Sequence, residues 1–370
     1  VTGLPPIPYG RQTIEDDDIA AVVDVLRGDY LTTGPAVADF EHAVADYVGA
    51  RHAVAFSNAT AGLHGCTAAA GLGPGDIVGT TPLTFVASAN CARYVGAEVE
   101  LIDIDPATLN VDIEHVPDHL DALVAVHYAG LPVDLAALTN RPRIVIEDAA
   151  QALGAWTPDG PVGNCAHSDM TSFSFHPVKP VTTGEGGVVT TNDDELAARL
   201  RRFRSHGTQP DPRKGGWHYD VIEEGFNYRL TDIQAALGRS QMSKIDRFIG
   251  RRQELAARYD SALAELEIPT APPAPEGFGH GYHLYTVQVP SRRQVYELLR
   301  ERGIYTQVHY VPIHHHPRFA YLDASMPACD AAYDGLLTLP LFPTLTDDQQ
   351  DRVVVELTEV VEAVRALASA

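Results

Sequence analysis

Apolar positions along this chain recur with two alternating periods. Spacings of three and four mark amphipathic helices, and short runs rich in Val, Ile and Ala mark buried strands. The first helix opens at residues 14–18 (IEDDD), whose aspartates suit the positive end of a helix dipole. Residues 26–35 (LRGDYLTTGP) interrupt with turn formers, and a second amphipathic helix covers about 36–47. Strand and helix then alternate. HAVAF at 52–56 leads to a helix near Asn58, DIVGT at 76–80 to one near Thr84, and EVELI at 98–102 to one near Asp112. ALVAV at 122–126 and RIVI at 143–146 continue the rhythm. Such alternation predicts an α/β fold, a mostly parallel sheet covered by helices. Ligands in such sheets sit outside the carboxyl ends of the strands.

Farther along, 195–205 reads as a helix with a basic end, and 206–228, rich in Gly, Pro and charge, as a long functional loop. Thr231 caps a helix whose spacing runs to about Leu266, where prolines at 269–275 break it. Residues 285–289 and 306–309 read as strands, 293–302 and 347–367 as helices. The last third is thus a smaller α+β domain. The expected division is a large domain over 1–244 and a small one over 245–370.

Charge narrows the partners. With 49 acidic against 27 basic residues the formal net charge is −22, which repels nucleic acid and requires a local site for any anionic substrate. No apolar run reaches membrane-spanning length. Residues 1–6 (VTGLPP) lack a basic-then-apolar leader pattern, so the expected location is cytoplasmic. Cys66, Cys91, Cys165 and Cys329 are far apart, without C-x-x-C spacing, and read as isolated buried thiols.

The chemistry centres on residues 172–187, SFSFHPVKPVTTGEGG. An alternating apolar strand meets His176-Pro177, where the chain must bend. One lysine, Lys179, follows in a loop with little other charge, and glycines then allow tight turns or close approach to a ligand. A lysine in dry surroundings loses basicity and forms a Schiff base with an aldehyde; a solvated surface lysine is the other reading of the same loop. Asp148, in EDAAQ after the 143–146 strand, either holds a protonated pyridine nitrogen or caps the next helix. Residues 57–62 (SNATAG) run from strand into helix with small polar side chains, an anion site suited to phosphate. Phe85 stands at another strand end, to cover a flat ring or to pack in the core. Neither G-x-G-x-x-G nor G-x-x-x-x-G-K-[ST] occurs, so dinucleotide and P-loop chemistry lack support.

These blocks, together with SHG at 205–207, NYRLTDIQAA at 227–236 and HYVPIH at 309–314, resemble the DegT/DnrJ/EryC1/StrS family over nearly the whole chain. The resemblance implies a pyridoxal-phosphate (PLP) sugar aminotransferase of the aspartate-aminotransferase fold, fold type I. Blocks at 128–130, 226–230 and 308–312 look closest to the pseudaminic-acid-pathway branch, which aminates C4 of a UDP-linked 4-keto-6-deoxy-N-acetylhexosamine. GDP- or dTDP-ketosugar and aminocyclitol transaminases are the neighbouring possibilities. By the resemblance Lys179 carries the cofactor, Asp148 pairs with its ring nitrogen, and Gln151 lies near its phenolic oxygen. Phe85 stacks on the ring. Ala59, Thr60 and Ser174 bind the phosphate, joined by Asn227 from a neighbouring subunit, which implies a homodimer with shared sites. L-glutamate is the expected amino donor. A dehydratase branch carries histidine where Lys179 stands, and a non-catalytic relative would be expected to lose Lys179 or Asp148; both are present here.

Weaker signals remain. Tyr30, Thr32 and Gly34 fall where family members have a loop at the sugar site, although the residues alone read as a turn. Arg229 suits a carboxylate, a phosphate or an interface ion pair. His309, Tyr310 and His314 are read as lining the sugar pocket. The run His314-His315-His316 suggests a metal only faintly, since no acidic or cysteine partner sits at ligand spacing, and no metal is expected.

Overall fold

A computed structural model describes residues 5–369 except position 272. Residues 1–4 of the leader reading and Pro272 of the proline-rich break lie outside the described residues. In chain order, α1 (Asp16–Arg27) and α2 (Pro35–Val48) precede β1 (His52–Phe56), α3 (Ala59–Ala69), β2 (Ile77–Thr80), α4 (Ala87–Tyr94) and β3 (Glu98–Leu101). Next come β4 (Ala122–Val126), β5 (Ile144–Asp148), a small hairpin of β6 (Trp156–Thr157) and β7 (Gly160–Pro161), β8 (Met170–Ser174) and β9 (Gly187–Thr191). The chain continues through α5 (Asp194–Phe203), a second hairpin of β10 (Thr208–Pro210) and β11 (Tyr219–Val221), α6 (Asp232–Met242) and α7 (Ile245–Ala264). It ends with β12 (Tyr285–Gln288), α8 (Arg292–Glu301), α9 (Pro327–Gly335), β13 (Leu336–Leu339) and α10 (Asp347–Ser369).

Seven strands form one sheet in the order β1-β9-β8-β5-β4-β2-β3. Every neighbouring pair is parallel except those of β9, which runs antiparallel to β1 and β8. Successive strand residues face opposite sides. Val54 and Phe56 of β1 pack with Leu63 and Cys66 of α3, whereas Ala53 and Ala55 pack with Phe40, Val44 and Val48 of α2. All four cysteines are buried and unpaired, as free thiols. A separate core gathers Leu255 and Tyr259 of α7, Val287, Leu337, and Val353, Leu357 and Val361 of α10. Helix α7 serves both cores, with Ile245 and Ile249 on the sheet side and residues from Leu255 onward in the C-terminal core. Among the described residues no helix is long and apolar enough to cross a membrane.

Local chemistry explains where the elements begin. Pro35 opens α2 and Gly49, in the left-handed region, closes it. Thr231 and Gln234 form the expected capping box of α6. Four expectations change. The helix near Asp112 is a single 3-10 turn, Ile113–His115, because Pro117 keeps Val116 extended. The helix expected over 231–266 divides at Ser243 and Lys244, whose N–H groups bond to carbonyls three residues back, Ser240 and Gln241. The stretch 306–309 is no strand. Only Gln307 bridges Thr338, and the Val308 N–H turns to the Gln307 side chain instead of a neighbouring strand. The loop over 206–228 contains the β10–β11 hairpin.

Candidate active site

Lys179 leaves β8 through a tight turn. Its N–H donates to the His176 carbonyl at 2.9 Å, and the Thr183 N–H and Thr182 hydroxyl both reach the Phe175 carbonyl at 3.0 Å. These bonds fold the lysine loop back over the ends of β5 and β8. The Lys179 amine opens onto a cavity of about 780 Å³. Burial pulls its pKa from 10.5 down to about 8; Asp148 opposes that fall and Arg252 adds to it.

Asp148 ends β5 and lines the same cavity, 6% exposed. Its Oδ2 accepts from the Ser88 hydroxyl at 2.7 Å and its Oδ1 from the Ala150 N–H at 3.1 Å. The adjacent carboxylate, Glu147, points to the other face of the sheet, so the two do not form a dyad. There Glu147 accepts from His127 Nε2 at 2.7 Å, from Thr171 at 2.9 Å, and from Ser168. His127 Nδ1 accepts the Val133 N–H at 2.9 Å, which leaves the ring proton on Nε2 to donate. Burial alone would push Glu147 up, but these donors outweigh it and hold its pKa below the usual range.

Helix α3 points its N-terminus at the cavity. Asn58 caps it, accepting the Ala61 N–H at 2.8 Å. The N–H groups of Ala59 and Thr60 have no carbonyl one turn earlier to bond, so they are free for an anion. Ser174 lines the cavity from β8. The end of β9 lies hard against this turn, for a Cβ on Gly187 would come within 2.5 Å of the Asn58 carbonyl group and 2.7 Å of Ala59 N. Gly187→Ala is therefore expected to push β9 off α3 and lower stability by about 1–3 kcal/mol. Thermal unfolding measures this, and an unchanged midpoint would show that the turn yields freely.

Aromatic and histidine side chains complete the cavity. Phe85 is 54% exposed and presents its ring 5.9 Å from that of Tyr310. Gln151 is held on both sides, accepting the Ala129 N–H at 2.6 Å and donating to the Tyr310 hydroxyl at 2.8 Å. Tyr128 donates to the His309 carbonyl at 2.5 Å. Burial, helped by nearby Lys179, pushes His309 down to about 3, so its imidazole is neutral. A second cavity of about 760 Å³ shares Thr84, Phe85, His309 and Tyr310 with the first and extends to His316 and Arg318.

The fold thus brings Ala59, Thr60, Phe85, Asp148, Gln151, Ser174, Lys179, His309 and Tyr310 to one cavity. It does not bring Tyr30, Thr32, Gly34, Asn227, Arg229 or His314 there within the same chain. Thr32 bridges Thr231, and the Gly34 N–H donates to Asp232 at 2.8 Å, so residues 30–34 are tied to the start of α6. Asn227 bridges Ser205. Gly34 and Arg229 line a separate cleft of about 250 Å³ beside Glu41 and Arg204. His314 sits on a 3-10 turn that aims it at Asp330, 3.0 Å away, with His315 at 2.8 Å from the same oxygen. The acidic neighbour that the spacing hid therefore comes from α9. These three groups lie within 4.8 Å of one another. Each histidine lies within hydrogen-bond distance of the Asp330 carboxylate.

Ser88, Arg252, His283 and Tyr9 were not legible as site residues. Ser88 meets Asp148 across 60 positions and His283 meets Lys179 across 104, at 3.3 Å. Neither carries a local motif.

The set suits PLP: an enclosed amine of lowered basicity, a buried carboxylate in the same cavity, a helix N-terminus for phosphate and an exposed aromatic face for the ring. Comparison with known proteins agrees. The Bacillus subtilis spore coat polysaccharide biosynthesis protein SpsC is 36% identical, covering 96% of this chain and 97% of its own. The Streptococcus pneumoniae protein Spr1654, solved in a PMP-form, superposes with a TM-score of 0.91 at 28% identity over 97% of this chain and all of that one. Helicobacter pylori PseC, an aminotransferase involved in the biosynthesis of pseudoaminic acid, gives 0.91 at 28% identity over 97% of this chain and all of that one. The profile of one family matches residues 12–358, and the chain belongs to it: the DegT/DnrJ/EryC1/StrS aminotransferase family, PLP-dependent enzymes of fold type I.

Proposed function

We propose that this protein uses PLP to move an amino group from L-glutamate to the C4 ketone of a nucleotide-linked 4-keto-6-deoxy sugar, a UDP-linked N-acetylhexosamine. The observation that carries the chemistry is that Lys179, Asp148, Phe85 and the N-terminus of α3 all line one cavity. When bound, the cofactor supplies an aldehyde to carry the amino group and an electron sink for the donor's carbon–hydrogen bond.

The protein's own groups do the rest. Asp148 would hold the cofactor's ring nitrogen in its protonated form, and Ser88 keeps that carboxylate aimed. Ala59, Thr60 and Ser174 would hold its phosphate. Lys179 Nζ, once free, would take the proton from the donor carbon and later give it up, and it would serve the sugar half of the transfer in the opposite sense. The joined second cavity gives room for a nucleotide beyond the sugar.

Residues 30–34 and 227–229 are tied together through α6, and we read them as one face that reaches the cavity of a second copy in a homodimer, with Asn227 on its phosphate. The division near Lys244 into a cofactor-binding part and a smaller C-terminal part belongs to the same reading. PseC, named for pseudoaminic acid, is what favours the UDP-linked N-acetyl sugar over its neighbours. The test is a panel of UDP-, dTDP- and GDP-linked 4-keto sugars with L-glutamate, products resolved by mass and NMR. The expected product is a UDP-4-amino sugar. Turnover confined to a dTDP or GDP sugar, or amination at another carbon, would overturn the substrate assignment.

A further inference from the structure

Lys179 is not alone at its end of the cavity. Its Nζ lies 3.3 Å from Nε2 of His283, which is buried, with its Nδ1 unpartnered. The two residues belong to different parts of the chain, and a third group sets their spacing. Arg252 on α7 is fully buried, and its Nη1 donates to the carbonyls of Tyr282 at 3.1 Å, His283 at 3.3 Å and Leu341 at 3.0 Å. Its Nη2 reaches the Val178 carbonyl at 3.5 Å. One guanidinium therefore ties the residue before Lys179 to the backbone of His283 itself.

Charge decides which way the contact runs. Among the described residues Arg252 has no carboxylate partner. The titratable groups facing His283 are Lys179, Arg252, His309 and His176, and none of them is acidic; Asp148 acts on Lys179. Burial and these neighbours hold His283 well below the usual histidine range, so the imidazole stays neutral. A neutral imidazole beside an ammonium has one useful tautomer, with the proton on Nδ1 and the Nε2 lone pair toward Nζ.

We propose that His283 is a positioning residue for the reactive amine: its Nε2 accepts a hydrogen bond from Lys179 Nζ whenever that nitrogen is free of the cofactor. As Nζ takes a proton from the donor carbon, a C–H bond breaks, an N–H bond forms, and the electron pair stays with the cofactor-bound substrate. The resulting ammonium sits in an enclosed site, and His283 holds it in place until the same proton is returned. His283 itself neither gains nor loses a proton. The proposal rests on Lys179 being the reactive amine.

The test uses the protein treated with L-glutamate, so that Lys179 is free. Acylation by acetic anhydride is followed across a pH series, with modification of Lys179 read by peptide mass. The wild-type midpoint is expected near 8. A hydrogen bond to the charged form favours that form, so removing it lowers the midpoint. His283→Phe is expected to lower it by about one unit, and kcat by about 10²-fold, since the nitrogen is no longer held in line. KM for glutamate should be unchanged. His283→Gln supplies a carbonyl acceptor and should restore both values to within a few fold. Thermal unfolding confirms that each variant is folded, and His283→Leu replaces His283→Phe if the larger ring does not fit. A folded apolar variant with unchanged midpoint and kcat would overturn the proposal, as would a Gln variant no better than the apolar one. A wild-type midpoint in the ordinary lysine range would instead remove the reactive-amine reading, and this proposal with it.

Discussion

Replacing Lys179 with alanine is expected to lower amino transfer by at least roughly 10³-fold, since the variant loses both the cofactor's point of attachment and the base that moves the proton. The protein should also lose the yellow colour of a lysine-bound cofactor. The fold should survive, because the change removes an amine that burial already disfavours. The size of the effect follows from the environment of this nitrogen. With a pKa of about 8 instead of 10.5, the fraction present as free amine at neutral pH is roughly 300-fold larger than for an ordinary lysine. The free amine is the nucleophilic form, so reactivity rises as pH increases through about 8. Lys179→Arg is the stricter control: it keeps a cation on the loop yet neither forms a Schiff base nor gives up its proton. Rates under saturating glutamate and sugar nucleotide, with absorption spectra, measure both variants. Transamination by either at the wild-type rate would end the role assigned to Lys179.

Asp148→Asn is expected to cost roughly 10²- to 10³-fold in rate, the range for removing a preorganised electrostatic partner from a dry site. Asparagine is nearly isosteric, and the hydrogen bonds can be kept. Its carbonyl can accept the Ala150 N–H, while the Ser88 hydroxyl, already within 3.2 Å of the Phe85 carbonyl, can turn to donate there and accept from the new amide. Only the charge is lost. The same substitution carries a second sign. Asp148 supports the protonated form of Lys179, so without it the lysine midpoint should fall below the wild-type value. Single-turnover rates and the acylation midpoint of Lys179 read the two effects separately. If neither moved, Asp148 would be a turn residue that accepts the Ala150 N–H, and no more.

Much of this architecture is legible in the residues. The alternation of apolar runs and helical spacing implied a mostly parallel sheet, because strands covered on both faces carry continuous apolar sequence and their crossovers carry amphipathic helices. Local motifs were readable for the same reason. Asn58 capping α3, Pro177 bending the chain before Lys179, and Thr231 with Gln234 opening α6 each act within a few residues. What failed depended on distant partners. Residues 306–309 have strand-like composition, yet pairing depends on what lies beside them, and only Gln307 finds a partner. The separation of Asp148 from Glu147 follows from strand periodicity once β5 is placed, but no pattern shows which of two adjacent carboxylates faces the ligand side.

The chain's own order of residues determined the sheet class, the lysine loop, the helix start at Asn58 and the acid at the end of β5, since each depends on spacing within one element and its turn. Tertiary structure alone decided which groups surround the lysine. Ser88 behind Asp148, His283 against Lys179, and Arg252 binding the backbones of Val178 and His283 meet across 31 to 104 positions, and such contacts leave no trace in local periodicity. The same holds for the lysine's lowered basicity, which comes from the enclosure that those distant segments build around it.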